Sequence, residues 1–169
     1  MSDKYEKERG IPQVPMCMQS PISLRFDGAS LRITGAHGHN LITSFRAVSG
    51  KPIKDKGFDY SIERQKISGQ GPIPAGNYWI KPSEIWENST FRSLHPSNRY
   101  AGWGAYRITI HPYPSTETYG RGGFFIHGGT VPGSQGCIDL TTSIVSFIQQ
   151  LDELLKGRPE CHIPVYVRY

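Results

Sequence analysis

The sequence has no long apolar run and no apolar leader segment. No stretch approaches the ~18 apolar residues that a membrane-spanning helix needs, so no membrane span is predicted. The opening residues, "MSDKYEKERGIPQVPMCMQSP", are charged at first and proline-bearing afterwards, and they lack the apolar core of a secretory signal. We therefore expect any work outside the cytoplasm to depend on a carrier other than a Sec signal.

Cysteine is scarce, odd in number and never arranged as C-x-x-C, which excludes a dense disulfide framework. At most one bridge can form. A Cys17–Cys161 bridge would leave Cys137 free, and the simpler alternative leaves both unpaired. No metal or other cofactor is expected, because the available side chains have no recognised zinc spacing; they are His111, His127, Cys137, Cys161 and His162.

Charged residues are few, at 20%, but they are unevenly balanced, with a formal net charge of +5. A positive protein suits nucleic acid, an anionic membrane or a carboxylate-rich polymer. Because the sequence contains no RNA-binding sheet signature, zinc-finger spacing or basic helix, nucleic acid is not an expected partner.

Strands dominate the expected secondary structure. "ISLRFDGASLRITG" alternates apolar and polar residues on both sides of a turn, which predicts a β-hairpin with Leu24, Phe26, Leu31 and Ile33 facing inward. Further strands are predicted in "LITSFRAVSG", "NYWI", "AYRITIHPY", "GGFFIHGG" and "HIPVYVRY". The expected fold class is mostly β (α+β).

Helical periodicity is convincing in one segment, "TTSIVSFIQQLDELLKG", where Ile144, Ile148, Leu151 and Leu155 share a face. Thr141 or Thr142 is the expected N-cap, and Gly157 the expected end. Residues 1–20 are expected to form a flexible leader, and residues 21–169 a single domain.

A glycine-rich segment, "GGFFIHGGTVPGSQGCIDL", brings together the side chains best suited to chemistry. His127 could take the proton of Cys137, and the following helix N-terminus could stabilise the thiolate. The N–H groups of Gly136 and Cys137, with Gln135, form a candidate oxyanion hole, and Ser134 either positions the loop or is only a turn residue. The alternative is a buried structural cysteine beside an ordinary strand-end histidine.

These residues also carry a family resemblance. "IHGGTVPGSQGCIDL", preceded by "GPIPAGNYWI", resembles the YkuD-type L,D-transpeptidases of bacterial cell-wall metabolism. The "DGASLRITG" hairpin and the Ser-x-Gly-Cys-Ile-Asp-Leu pattern are closer to type VI secretion L,D-transpeptidase effectors, from about Ile22 onward. The resemblance implies a YkuD-like β-sandwich of mixed sheets with one main helix after the catalytic cysteine, in the domain spanning 21–169.

Carried over by position, the resemblance implies that Cys137 is the nucleophile and His127 its base. Gly136 would belong to the oxyanion hole, and Gly128 continues the His-Gly element. Two positions depart from the broader YkuD pattern. Gln135 replaces a second histidine, for which His111 would have to substitute in space, and Asp139 replaces the usual Asn or Arg.

The implied activity is that of a cysteine L,D-carboxypeptidase and L,D-transpeptidase on peptidoglycan tetrapeptide stems. The implied partners are the stem peptides, the type VI secretion machinery and a cognate immunity protein, with action in a target cell's periplasm. The alternatives are a non-catalytic wall-binding module and a cytoplasmic cysteine amidohydrolase. Four arginines are candidates to meet substrate carboxylates or are merely solvated: Arg92, Arg99, Arg107 and Arg121.

Overall fold

A computed structural model describes residues 14, 17, 20–87 and 104–169 of the chain. Within these residues, short strands dominate and two α-helices occur. The strands are β1 Ile22–Phe26, β2 Ser30–Gly35, β3 Leu41–Arg46, β4 Val48–Ser49, β5 Gly76–Ile80, β6 Ile85–Glu87, β7 Tyr106–Pro112, β8 Phe124–His127, β9 Ile138–Asp139 and β10 Ile163–Val167. The helices are α1 Ile62–Gln65 and α2 Ile144–Leu155.

The described strands form one mixed sheet in the order β3-β2-β1-β10-β5-β7-β8-β9-β4, and β6 pairs with β7 beside that path. β1 with β10 and β8 with β9 run parallel, whereas the other named pairs are antiparallel. The two ends of the path, β3 and β4, are separated in the chain by Ala47 alone. The sheet therefore nearly closes on itself.

The predicted hairpin is confirmed. β1 pairs antiparallel with β2, with Leu24 opposite Ile33 and Phe26 opposite Leu31, and all four side chains are fully buried. Alternation decides this arrangement because successive side chains of a strand point to opposite faces. The other predicted strands are confirmed as parts of β3 and β4, β5, β7, β8 and β10.

Helix α2 packs its apolar face on the sheet, with Ile144, Ile148 and Leu151 buried as predicted, while Leu155 is only partly buried. The predicted Thr caps are wrong. A 3-10 turn at Thr141–Ser143 precedes α2, and the N-cap residue, Ser143, makes no side-chain capping bond. Gly157 lies just beyond the helix with a φ of 71°, a left-handed conformation that glycine adopts without strain.

A disulfide joins Cys17 to Cys161 across a sequence separation of 144. The simpler expectation of unpaired cysteines is therefore wrong, and Cys137 is the free cysteine among the described residues. The bridge ties the segment before β1 to the segment before β10, and these two strands are themselves paired. In the described part of the chain, no helix is long and apolar enough to cross a membrane.

Candidate active site

Parallel pairing of β8 with β9 places the end of β8, which carries His127, beside the strand that Cys137 directly precedes. Ile126 pairs with Ile138 and His127 with Asp139. Cys137 directly precedes β9, and its sulfur lies against β8, since it is hydrogen-bonded by the Phe125 backbone and lies 3.9 Å from the carbonyl oxygen of Gly123. The nine residues between His127 and Cys137 thus form a loop that leaves one strand and returns beside it.

His127 ends β8 and is 5% exposed. Its Nδ1 lies 2.6 Å from the carbonyl oxygen of Gly128. A carbonyl oxygen can only accept, so Nδ1 carries the proton, and in the neutral ring Nε2 is the basic nitrogen. This hydrogen bond selects the tautomer that a general base on Nε2 requires.

Asp139 is 1% exposed, and its carboxylate accepts hydrogen bonds from the backbone on both sides of it, in the loop before β9 and in the turn after β9. One oxygen accepts the backbone N–H of Gly133 at 2.9 Å and the other that of Thr141 at 2.7 Å. The second oxygen is also 3.9 Å from Nδ1 of His127, an ion pair if the imidazole becomes protonated. Asp139 therefore stabilises the loop and puts negative charge beside the histidine.

Cys137 is 7% exposed, and its sulfur lies 3.9 Å from the carbonyl oxygen of Gly123. Burial raises the pKa of the thiol to about 12, and the Asp139 carboxylate adds to that rise. A hydrogen bond from the Phe125 backbone and the charges of Arg121 and Arg107 oppose it. The sequence predicted a stabilised thiolate. In this structure, however, the loss of hydration on burial outweighs the groups that lower the thiol pKa, so the resting thiol is protonated.

The hydroxyl of Ser134 organises the loop before the thiol. It donates to the carbonyl of Cys137 at 2.6 Å and accepts the N–H groups of Gly50 at 3.2 Å and Gly136 at 3.3 Å. The hydroxyl thus has the loop-positioning contacts that were one of its two expected roles. In this conformation the Gly136 N–H is engaged by Ser134, while Gln135 is exposed.

Two glycines of the segment are required by close packing. A Cβ on Gly128 would lie 2.4 Å from a methyl carbon of Ile144 and 2.6 Å from the carbonyl oxygen of Thr141. A Cβ on Gly136, where φ is 123°, would lie 2.6 Å from the guanidinium of Arg121. Gly128 thus lets α2 approach β8 directly behind His127, and Gly136 lets the loop pass over a buried arginine.

Comparison of the sequence with known families gives a match. The Tlde1 domain matches residues 44–163, more than half of the chain. The chain belongs to the Tlde1 domain family of type VI secretion L,D-transpeptidase effectors. The sequence resemblance to that family is therefore confirmed.

Three solved structures are similar to this chain. Bd1075 of Bdellovibrio bacteriovorus is similar with a TM-score of 0.51 and 20% identity, over 88% of this chain and 47% of that one. Mycobacterium tuberculosis L,D-transpeptidase 1 is similar with a TM-score of 0.43 and 15% identity, over 88% of this chain and 63% of that one. The L,D-transpeptidase of Xylanimonas cellulosilytica is similar with a TM-score of 0.43 and 14% identity, over 97% of this chain and 68% of that one.

The chain thus spans about half the length of Bd1075. At these identities the likeness concerns the fold alone, and the strands and helices of the chain confirm the expected mostly β fold class. No curated protein sequence matches the chain.

In this Tlde1 domain the candidate arginines have different positions. Arg121 is 7% exposed, and its guanidinium donates to backbone carbonyls of Gln65, Gly71, Pro72 and Gln135. Neither expectation for it, carboxylate binding or solvation, is correct, because it joins two loops from inside. Arg107 is partly buried on β7, opposite His127. Arg92 and Arg99 lie outside the described residues.

His111 does not substitute for the missing second histidine. Its Nε2 lies 2.7 Å from a carboxylate oxygen of Glu84, and its ring stacks on Trp79 with centroids 4.3 Å apart. It is four residues along β7 from Arg107, the residue that pairs with His127. At about 3.3 Å per residue, this separates it from His127 by more than hydrogen-bond reach.

Two cavities flank the loop. One of about 260 Å³ is lined by Asp139, Thr141 and Thr142, and one of about 570 Å³ by Lys51, Pro52 and residues 130–135. Neither of the two is lined by Cys137 or His127. The Cys137 sulfur therefore does not open onto either of these two cavities.

One cluster of potential metal ligands occurs among the described residues. The ligand atoms of Cys17, Cys161 and His162 all lie within 4.8 Å of one another. Because the two sulfurs are joined in the disulfide, they are not thiolate ligands in this state.

The contacts of Asp139 and Arg107 at this site were not predicted from the sequence. Asp139 was predicted only as a departure from the family pattern, and its bonds to Gly133 and Thr141 depend on how the loop folds back. Arg107 stood among four candidates, and nothing local separates it from the others. Only the strand register distinguishes it.

Proposed function

We propose that this Tlde1 domain is a cysteine L,D-carboxypeptidase and L,D-transpeptidase acting on peptidoglycan tetrapeptide stems. The observation that carries the proposal is the position of the free Cys137 against β8: its sulfur is hydrogen-bonded by the backbone of Phe125, two residues before His127, whose Nδ1 is bonded to Gly128. Membership of the Tlde1 family supports the substrate class.

The proposed reaction begins from a protonated Cys137 thiol, since burial raises the thiol pKa to about 12. As the sulfur of Cys137 attacks the carbonyl carbon of the third stem residue, its proton passes to Nε2 of His127. The tetrahedral intermediate then collapses, the bond to the terminal D-Ala nitrogen breaks, and the imidazolium returns the proton to that amine. A thioester remains on Cys137.

Resolution of the thioester decides the product. Attack by water, with His127 accepting a proton and returning it to the Cys137 sulfur as the C–S bond breaks, releases a tripeptide stem and amounts to carboxypeptidase activity. Attack by the amine of a D-amino acid or of another stem gives exchange or a cross-link. Asp139, 3.9 Å from Nδ1, would stabilise the imidazolium that each of these steps creates.

The biological setting belongs to the same proposal. An enzyme that shortens or exchanges stem peptides damages a wall only from the periplasmic side. We infer delivery by a type VI secretion machine into a competitor's periplasm, and a cognate immunity protein that protects kin. The net charge of +5 is compatible with a carboxylate-rich wall polymer.

Muropeptide turnover tests the proposal. The protein is incubated with purified disaccharide tetrapeptides, with and without a free D-amino acid, and the stem masses are followed. We expect a tripeptide product, and an exchanged tetrapeptide when the D-amino acid is present. Cys137→Ala and His127→Ala should each lower turnover by at least about 10²-fold, whereas His39→Ala, at an exposed position, should not change it.

Other outcomes favour other functions. Unchanged stems with folded, reduced protein would contradict the peptidoglycan assignment, and tight binding to sacculi without turnover would support a non-catalytic wall-binding module. Turnover of unrelated amides but not of stems would support an amidohydrolase. Full activity in Cys137→Ala would overturn the nucleophile assignment.

A further inference from the structure

A third cavity lies beside β1 and β10, away from the candidate site. Its volume is about 380 Å³, and the described residues that line it are Arg25, Thr34, Tyr166, Arg168 and residues 37–39. Arg25 on β1 is the register partner of Tyr166 on β10. In the sheet, β5 and β7 separate β10 from β8. The cavity is therefore a different place on the molecule from the cysteine–histidine pair.

The charge of Arg25 is not compensated within the described part of the chain. Arg25 is exposed on β1, and its guanidinium has no ion-pair or hydrogen-bond partner among the described residues. Arg32, its register partner on β2, is a second cation. Asp27, two residues further along the chain, pairs with Arg32 at 2.8 Å and also accepts the N–H groups of Ala29 and Ser30. This acid therefore serves another arginine and the turn, and not Arg25.

Arg168 brings a second positive charge to the same cavity. Its guanidinium donates to the backbone carbonyls of Gly76 and Val167, at 2.9 and 2.8 Å, and to the side-chain oxygen of Asn77. The guanidinium carbon also lies 5.8 Å from the ring centre of Tyr166, within the range of a cation–π contact. Since all of these partners are uncharged, they fix the position of the guanidinium without cancelling its charge.

A loop between β2 and β3 forms the remaining wall. His37, Gly38 and Asn40 have φ values of 64°, 74° and 58°, in the left-handed region that few residues other than glycine adopt. The N–H of Gly35 donates to the carbonyl of Asn40 at 3.0 Å, which closes the loop. The chain thus curls back beside β2 and presents residues 37–39 to the cavity.

The chemistry of this lining suits an anion. Aspartate and glutamate are absent from the described lining residues, which include two arginines. Charges of one sign in a concave surface reinforce each other's field, and an anion placed between them would reduce their mutual repulsion. A guanidinium whose N–H donors are accessible, as in Arg25, can bind a carboxylate through two parallel hydrogen bonds.

We propose that this cavity binds a carboxylate of the peptidoglycan stem peptides and holds the enzyme on the wall polymer, with Arg25 as the group that contacts the carboxylate. The inference rests on the proposed function, which supplies the substrate class. Because neither Cys137 nor His127 lines the cavity, the carboxylate held there is not part of the reacting bond. A protein attached in this way meets neighbouring stems at a high effective concentration.

Co-sedimentation with purified sacculi tests the cavity. All proteins carry Cys137→Ala, so that stems stay intact, and the variants add Arg25→Gln, Arg25→Lys or Lys54→Gln. Lys54 is exposed, does not line the cavity and makes the matched loss of charge. Each protein is measured on native sacculi, on sacculi whose carboxylates have been converted to primary amides, and on phosphatidylglycerol vesicles, which carry phosphate and no carboxylate.

We expect Arg25→Gln to weaken binding to native sacculi by about 10-fold, the lower end of the range for a charge-assisted hydrogen bond. Arg25→Lys should keep part of the affinity, and Lys54→Gln nearly all of it. On amidated sacculi all four proteins should bind weakly and alike.

Three results would overturn the proposal. Equal losses in Arg25→Gln and Lys54→Gln would mean that net charge alone attracts the protein to the wall. An effect of Arg25 that persists on amidated sacculi, or that occurs on the vesicles alone, would exclude the carboxylate. The third is an absence of measurable binding to native sacculi by the parent Cys137→Ala protein.

Turnover of soluble muropeptides by the wild type separates this inference from the proposed activity. Sacculus binding that needs Arg25, in a protein that turns over no stem, would support the cavity's role and contradict the proposed activity. Turnover of stems with no dependence of sacculus binding on Arg25 would do the reverse. Unfolding curves for every variant verify that each is folded.

Discussion

The thiol of Cys137 should be much less reactive than an ordinary cysteine until substrate is present. Burial raises its pKa from 9.0 to about 12. At pH 8 the thiolate fraction then falls from about one in ten to about one in ten thousand. Because the thiolate is the reacting species, alkylation should be about 10³-fold slower than that of an exposed thiol, before restricted access is counted.

Alkylation by iodoacetamide, followed by intact mass between pH 7 and 11, measures this directly. The disulfide removes Cys17 and Cys161 from the reaction, so one adduct is expected, and Cys137→Ala should give none. The rate should keep rising up to pH 11 without a plateau, and urea-unfolded protein should show an ordinary thiol. A plateau centred at or below pH 9 in the folded protein would refute the reasoning.

The same pKa difference has a consequence for stability. A thiol whose folded pKa lies above its unfolded pKa binds more protons when folded, so its contribution is fully present below pH 9 and is lost as pH rises toward 12. Between pH 8 and pH 10.5 the wild type should lose about 2 kcal/mol relative to Cys137→Ala. Urea unfolding at both pH values measures the difference, and parallel curves would contradict it.

Three further predictions concern packing and cross-links. Gly128→Ala should lower the free energy of unfolding by about 1–3 kcal/mol, because its Cβ would overlap α2, and urea unfolding would show no change if that packing is loose. Arg121→Lys should cost about 2–3 kcal/mol by the same measurement, since one ammonium cannot reach four carbonyls, whereas Arg158→Lys, at an exposed site, should not. Cys17→Ser with Cys161→Ser should lower stability by about 2–4 kcal/mol, and a thermal unfolding curve unchanged by reductant would contradict a bridge in the folded protein.

Local patterns predicted most of the fold. The hairpin of β1 and β2 and the buried face of α2 follow from alternation and periodicity within a few residues, and neither needs tertiary information. The predicted start of α2 was wrong because a 3-10 turn lies where a side-chain cap was expected. That turn is held by non-local bonds, including the one from Gly129 to the Thr141 carbonyl at 3.1 Å.

The candidate site was predictable in its residues but not in its environment. His127 and Cys137 share one segment, whereas the parallel register of β8 with β9 depends on how the intervening loop folds back. The depth of burial, and hence the direction of the thiol pKa, depends on neighbours from other strands. The interior position of Arg121 has the same origin, since its four carbonyl partners come from distant segments.

Asp139 connects these observations. Each of its oxygens accepts a backbone N–H, one from Gly133 and the other from Thr141. The loop that leads back to β9 therefore needs two acceptor oxygens at this position, and an amide side chain could supply only one acceptor oxygen. The charge that accompanies them raises the pKa of Cys137 and lies 3.9 Å from Nδ1 of His127. Burial is the main reason that the thiol is protonated at rest, and this carboxylate adds to the effect; the same charge favours the imidazolium once the proton has moved. Under the proposed mechanism, reaction would start only when a substrate carbonyl accepts the sulfur as the proton leaves it.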